Sequence, residues 1–92
     1  MEIVLLGLNH KTAPVALREC LAFSPDETST VLRAFQESPV IREAVFVSTC
    51  NRVEILMATE DKANAVRTAK MFLSEFKKLP ASEFEKSLYI HK

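Results

Sequence analysis

Short runs of apolar residues divide this chain into four predicted strands. Residues 2–9, 44–47 and 53–58 are rich in Ile, Val, Leu and Phe, which is typical of β-strands. Residues 87–91 predict a short final strand. Only residues 48–52 separate the second strand from the third, a length that fits a hairpin.

The segments between these strands carry sequence signals that are typical of α-helices. Pro14 is suited to the first turn of a short helix. Ser24 predicts the start of a second helix, because Pro25 suits the first helical position and Glu27 completes a capping box. From about residue 60 to residue 79, apolar side chains recur every third or fourth position and predict a longer helix.

The resulting order, β-α-α-β-β-α-β, predicts the fold. A split β-α-β arrangement of this kind places the helices on one face of an antiparallel sheet. We therefore expect an α+β, ferredoxin-like sandwich with an extra helix after the first strand. The length of 92 residues is that of one domain.

Composition and charge exclude several functional classes. Gly7 is the only glycine, which excludes a G-x-G-x-x-G turn and a Walker A loop; inside a strand, it indicates the close approach of another backbone or a ligand. The 12 basic and 12 acidic residues balance, so no basic surface for nucleic acid is predicted.

The apolar run 3–8 is too short for a signal peptide or a membrane span. We expect a cytoplasmic protein with no metal site and no structural disulfide.

A polar segment follows the second predicted strand and contains Cys50. A thiol reacts as its thiolate, which a nearby cation stabilises. Arg52 either supplies that cation or holds a substrate carboxylate in its planar fork. Thr49 and Asn51 add hydrogen-bonding groups to the same turn.

The residues alone leave other interpretations of this segment open. Cys50 is alternatively a small buried hydrophobe or a redox sensor, although no second cysteine lies near it to act as the resolving thiol. Arg52 is alternatively paired with Glu54 at the surface. Cys20 is interpreted as buried, because it shares a predicted apolar helix face with Leu21.

A second polar cluster, Asn-His-Lys-Thr at residues 9–12, follows the first strand. If that strand lies beside the hairpin strands, this cluster and residues 48–52 converge on one pocket. His10 is then a candidate substrate contact. The alternative is a solvated loop histidine.

These segments together resemble the N-terminal catalytic domain of glutamyl-tRNA reductase, and the resemblance extends over essentially all 92 residues. The Asn-His-Lys-Thr-Ala-Pro motif at 9–14 and the Ser-Thr-Cys-Asn-Arg motif at 48–52 are highly specific when they occur together. The matching stretches are Gly-Leu-Asn-His-Lys-Thr-Ala-Pro-Val at 7–15, Arg-Glu at 18–19, Phe-Ser-Pro at 23–25, Ser-Thr-Cys-Asn-Arg at 48–52 with Glu54, and Ser-Leu-Tyr at 87–89.

The resemblance implies a reaction. Members of that family reduce the activated α-carboxyl group of glutamyl-tRNA to glutamate-1-semialdehyde with NADPH, which opens five-carbon tetrapyrrole (porphyrin) biosynthesis. Cys50 would attack the aminoacyl ester, release the tRNA and hold glutamate as a thioester. Thr49, Asn51 and Arg52 would line the glutamate site, with Arg52 binding a substrate carboxylate. The full-length enzyme would be a homodimer that passes its product to an aminomutase.

Family members are several times longer than this chain. Residues 1–92 are expected to be the N-terminal part of the catalytic domain, without the NADPH-binding and dimerisation domains. The family's functional histidine, in a His-Leu-(Phe/Met)-Arg motif, is expected beyond residue 92, and His91 is not its counterpart. We therefore expect that this chain binds no NADPH and completes no reduction. The alternative is a ferredoxin-like regulatory module that binds a ligand or a protein without catalysis. Such a module would not explain why the motifs at 9–14 and 48–52 occur together.

Overall fold

Four strands and three α-helices are present in the computed structural model, which describes residues 1–49 and 51–92. Cys50 therefore lies outside the described residues. Two short 3-10 turns precede the last strand. In chain order the elements are β1 (Glu2–Asn9), α1 (Val15–Leu21), α2 (Pro25–Gln36), β2 (Ile41–Ser48), β3 (Arg52–Thr59), α3 (Lys62–Lys77) and β4 (Tyr89–His91).

The strands form one antiparallel sheet in the order β2-β3-β1-β4. The central strands β1 and β3 pair along their full lengths, from Glu2 opposite Thr59 to Asn9 opposite Arg52. β3 lies between β1 and β2, and β1 lies between β3 and β4, so two split β-α-β units interleave. The predicted ferredoxin-like α+β sandwich is confirmed.

In the described part of the chain, the helices lie on one face of this sheet. Alternate side chains of the two central strands point to the helices, and each is at most 4% exposed. These side chains are Val4, Leu6 and Leu8 from β1 and Val53, Ile55 and Met57 from β3. On the helix side, the Phe35 ring of α2 packs edge-on against Phe46 and Phe72, with centroids 5.1 and 4.9 Å apart. The opposite face of the sheet is open.

Local hydrogen bonds fix where the two longer helices begin. The predicted capping box of α2 is present: the Ser24 hydroxyl accepts from the Glu27 amide at 3.2 Å, and the Glu27 carboxylate accepts from the Ser24 amide at 2.9 Å. The Asp61 side chain caps α3 by accepting from the Asn64 amide at 3.1 Å. α3 ends at Lys77, and the residue that caps this end, Lys78, has a left-handed φ of 54°.

The short helix α1 differs from its prediction at Cys20. Leu21 is buried and Leu17 packs partly against the core, but Cys20 is exposed. Leu17 and Leu21 are four residues apart, so they lie on the same face of the helix, and this is the face that packs on the core. Cys20 lies at the border of this buried face. The interpretation of Cys20 as buried was therefore wrong.

Candidate functional site

The two polar segments meet at one end of the sheet. β1 ends at Asn9, β3 begins at Arg52, and these two residues are paired. The loop at residues 10–14 and the β2–β3 turn at residues 49–51 therefore leave the same end of the sheet. The two segments therefore lie at one end of the sheet, as predicted, but residues 9–12 do not line the cavity beside the turn, so a single shared pocket stays a prediction.

Thr49 closes the β2–β3 turn. Its amide donates to the Arg52 carbonyl oxygen at 2.8 Å, and its hydroxyl oxygen accepts from the amides of Asn51 and Arg52, each at 3.2 Å. The strand end before the turn is also tied down, because the Ser48 hydroxyl accepts from the Phe23 amide at 3.0 Å. The described residues that precede and follow Cys50 in sequence are thus held by local bonds.

Asn9 and Thr12 organise the neighbouring loop. The Asn9 side-chain oxygen accepts from the amides of Lys11 and Thr12 at 2.9 and 3.2 Å, and the Thr12 hydroxyl accepts from the Asn9 amide at 3.0 Å. This reciprocal pattern turns the chain sharply at the end of β1. His10 and Lys11 stand exposed at the tip of the turn.

Arg52 and Glu54 lie on the open face of the sheet, because they alternate with the buried Val53. The Arg52 Nη1 atom lies 3.5 Å from the Glu54 carboxylate, so the ion pair that the sequence offered as an alternative is present. The Glu54 carboxylate also accepts a hydrogen bond from the Tyr89 hydroxyl. The Glu54 side chain is 16% exposed and that of Arg52 is 54% exposed, which leaves the guanidinium accessible to a ligand.

Gly7 provides the space for this cluster. It is the strand neighbour of both Glu54 and Tyr89. A Cβ atom at Gly7 would lie 2.7 Å from the Glu54 Cγ, 2.9 Å from the Val53 carbonyl oxygen and 3.1 Å from the Tyr89 hydroxyl oxygen. The close approach that a glycine inside a strand indicates is therefore confirmed, and the approaching groups belong to the protein itself.

The pKa of the Tyr89 hydroxyl depends on its burial and on its contact with Glu54. Burial, followed by the hydrogen bond and the charge of Glu54, raises the pKa of Tyr89 from 10 to about 12. The folded chain thus keeps the phenolic proton where the unfolded chain loses it. The Tyr89 contribution to stability is complete below about pH 10 and is lost as the pH rises toward about 12.

Ultraviolet absorbance can measure this pKa, since the chain contains one tyrosine and no tryptophan. We expect the tyrosinate band of the folded chain to titrate with a midpoint near 12, and that of the guanidinium-unfolded chain near 10. The Glu54→Gln substitution should lower the folded midpoint, because it removes a negative charge beside the phenol. A midpoint near 10 in the folded protein would contradict this arrangement.

A cavity of about 340 Å³ lies between α1 and the β2–β3 turn. Thr49 and Asn51, which the sequence assigned to the site, form part of its lining. Arg18 and Glu19 also line it, and sequence reasoning missed them as site residues. The one signal in the sequence was that the Arg-Glu pair at 18–19 is among the stretches that resemble the family. The contact itself has no local pattern, because α1 packs against a turn that is about 30 residues away in sequence. The full lining is Val15, Arg18, Glu19, Ala22, Thr49 and Asn51.

The predicted site residues thus occupy different sides of one loop region. Thr49 and Asn51 face the cavity beside α1, whereas Arg52 lies on the open face of the sheet. His10 is exposed on the adjacent loop. The prediction for Cys50 falls outside the described residues. Within residues 1–49 and 51–92, no three side chains of the kinds that bind metals are grouped to hold an ion, and no helix is long and apolar enough to cross a membrane.

Comparison with known proteins gives one consistent family. Residues 6–92 match the family described as glutamyl-tRNAGlu reductase, N-terminal domain. The chain is 47% identical to the glutamyl-tRNA reductase of Desulfatibacillum aliphaticivorans over 92 residues, which are 100% of this chain and 21% of that protein. It is 44% identical to the glutamyl-tRNA reductase of Geobacter sulfurreducens over 91 residues, which are 99% of this chain and 21% of that protein.

A solved structure shares the fold. Glutamyl-tRNA reductase from Methanopyrus kandleri matches with a TM-score of 0.61 and 20% sequence identity, over 98% of this chain and 18% of that one. At this level of identity the likeness shows the fold alone. The chain spans about a fifth of the length of the curated relatives it matches.

Proposed function

This chain belongs to the glutamyl-tRNA reductase family, whose N-terminal domain it matches, and from that premise we propose that it is the acyl-accepting part of an NADPH-dependent glutamyl-tRNA reductase. The full-length protein would convert glutamyl-tRNA to glutamate-1-semialdehyde, the first step of tetrapyrrole biosynthesis. One observation carries the proposal. The loop after β1 and the turn that contains Cys50 lie at one end of the sheet, and a cavity lined in part by Arg18, Glu19, Thr49 and Asn51 lies beside the turn.

Cys50 is the proposed nucleophile. Its sulfur attacks the carbonyl carbon of the aminoacyl ester, the bond from that carbon to the ribose oxygen breaks, and the ribose oxygen takes up the proton that the thiol has lost. The tRNA leaves with a free hydroxyl group, and glutamate remains as a thioester. Dividing the reaction in this way keeps the acyl group activated after the tRNA has left.

Arg52 is the proposed partner of the γ-carboxylate of the glutamyl group. A guanidinium carries five N–H donors, so its ion pair with Glu54 leaves donors for a substrate. The contact with Glu54 also restricts where the guanidinium lies, which favours a bidentate contact with a planar carboxylate. Thr49 and Asn51 line the substrate site beside Cys50, and exposed His10 is a further substrate contact.

NADPH would supply the hydride that reduces the thioester, and it would be bound by another part of the full-length protein. The residues of this chain do not fit a dinucleotide site, because Gly7 is the only glycine and lies inside β1, surrounded by Glu54 and Tyr89. In the full-length protein we also propose a cytoplasmic homodimer that passes the semialdehyde to an aminomutase.

A chimeric enzyme tests the proposal. In it, this chain replaces the matching segment of the Desulfatibacillum aliphaticivorans reductase, to which it is 47% identical. We expect the chimera to form glutamate-1-semialdehyde from glutamyl-tRNA and NADPH, and the isolated chain to form none. A folded chimera without activity would contradict the proposed function. Semialdehyde formation by the isolated chain would contradict the assignment of the reduction to other parts of the protein.

A further inference from the structure

The cavity beside α1 lies on the opposite side of the β2–β3 turn from Arg52. Leu21 of α1 belongs to the core on the helix-covered face, so the cavity is on that side, whereas Arg52 lies on the open face. Thr49 and Asn51, which directly precede and follow Cys50 in sequence, both line the cavity. Two separate sets of polar groups therefore flank the segment that carries the nucleophile.

An aminoacyl ester also has two sides, the acyl group and the ribose of the 3′-terminal nucleotide. If Arg52 binds the acyl carboxylate on the open face, the ribose side is directed toward the other set of groups. The cavity volume of about 340 Å³ lies in the range of small-molecule sites. We propose that this cavity binds the 3′-terminal nucleotide of the tRNA, the group that leaves when Cys50 is acylated. This inference rests on the proposed function.

The cavity lining suits a nucleotide 5′-phosphate and ribose. Arg18 offers a planar guanidinium, the side chain best matched to a phosphate group. Glu19 offers a carboxylate, which can accept a hydrogen bond from the free ribose hydroxyl beside the ester, as acidic residues do in dinucleotide sites. One cation and one carboxylate thus line a single cavity, a pairing that suits one nucleotide.

Thr49 suits the oxygen at which the ester bond breaks. Its hydroxyl oxygen already accepts two amide hydrogens, from Asn51 and Arg52. A hydroxyl group that accepts two hydrogen bonds presents its own hydrogen as a donor. Donation to the ribose oxygen stabilises the negative charge that develops there as the bond from the carbonyl carbon breaks.

The charge balance of the chain agrees with recognition of one nucleotide. The 12 basic and 12 acidic residues give no net charge, so the chain has no excess cations to follow an extended RNA backbone. A contact confined to the terminal nucleotide needs only the one cation that Arg18 provides. Binding at this cavity should therefore depend weakly on salt.

Nuclear magnetic resonance of the isolated chain with adenosine 5′-monophosphate tests the inference. We expect chemical-shift changes at Arg18, Glu19, Thr49 and Asn51, and weaker binding of 2′,3′-dideoxyadenosine 5′-monophosphate, which lacks both ribose hydroxyl groups. Inorganic phosphate alone should bind more weakly still. Shift changes confined to other parts of the chain, or equal binding of all three probes, would overturn the inference.

Three substitutions sharpen this test. Arg18→Gln should weaken binding of adenosine 5′-monophosphate by about tenfold or more, because it removes a charge-assisted contact. Arg33→Gln is the matched control, since Arg33 is exposed on α2 away from the cavity, and it should leave binding unchanged. Glu19→Gln should reduce the preference for the ribose hydroxyl groups without removing phosphate recognition. Equal effects of the two arginine substitutions would contradict a site at the cavity.

The outcome can be separated from that of the proposed function. Nucleotide binding requires no thiol, so a Cys50→Ser chain should bind adenosine 5′-monophosphate as the unsubstituted chain does. If the nucleotide binds at the cavity and the chimera is inactive, the site stands and the proposed reaction fails. If the chimera is active and no nucleotide binds at the cavity, the reaction stands and this inference fails.

Discussion

Replacing Cys50 with serine is expected to lower semialdehyde formation by the chimera about 10³-fold or more. A serine hydroxyl has nearly the same size as a thiol but ionises far less readily, so it is a much weaker nucleophile. The measurement is the rate of NADPH-dependent semialdehyde formation from glutamyl-tRNA. A thioester route requires sulfur, so residual activity close to that of the unsubstituted chimera would contradict it.

Cys20 supplies the matched control for this substitution. It is the other of the two cysteines of the chain, and it is exposed on α1. The Cys20→Ser substitution should leave the rate unchanged, because no step of the proposed reaction uses this thiol. A comparable loss in both variants would show that the effect of Cys50→Ser does not come from the loss of a nucleophile.

Replacing Arg52 with glutamine is expected to lower kcat/KM about 10- to 100-fold, the value of one charge-assisted contact. The carboxylate is present in the substrate and in the transition state, so most of the loss should appear as a raised KM. Glutamine cannot pair with Glu54 as an ion, but the hydrogen bond from Tyr89 to Glu54 should persist. Steady-state kinetics with varied glutamyl-tRNA measure both parameters.

Two further variants and one substrate separate carboxylate recognition from a structural role of Arg52. Arg52→Lys keeps the charge but not the planar fork, so it should restore part of the lost kcat/KM. Arg42→Gln removes an exposed arginine from β2 and should have no effect. Glutaminyl-tRNA lacks the carboxylate, and Arg52→Gln should reduce the discrimination against it. A kcat/KM that falls equally for both substrates would contradict the assigned role.

The fold follows from local signals in the sequence. The Ser24 capping box places the start of α2, and the apolar repeat between residues 60 and 79 predicts α3, which the structure shortens by two residues at each end. The five-residue interval at 48–52 predicts the β2–β3 hairpin, in which strand pairing extends to Ser48 and Val53. These features depend on neighbours within a few positions, which is why the sequence carries them.

The candidate site could be predicted only in part. Tyr89 is 35 residues from its hydrogen-bond partner Glu54 and reaches it because β4 pairs with β1. Likewise, the contribution of Arg18 to the cavity depends on how α1 packs against the β2–β3 turn. Such contacts are set by tertiary packing, and no spacing along the chain reports them. The same reason explains the exposure of Cys20, since the apolar pattern of a seven-residue helix does not define the border of its buried face.

The central claim is that Cys50 carries the glutamyl group, and trapping that intermediate tests it most directly. The chimera is mixed with glutamyl-tRNA in the absence of NADPH, quenched in acid and digested for peptide mass spectrometry. We expect one glutamyl group on the peptide that contains Cys50, removed by hydroxylamine as a thioester should be, and none on the peptide that contains Cys20. An active chimera that carries no glutamyl group on Cys50, or carries it on another residue, would contradict the claim.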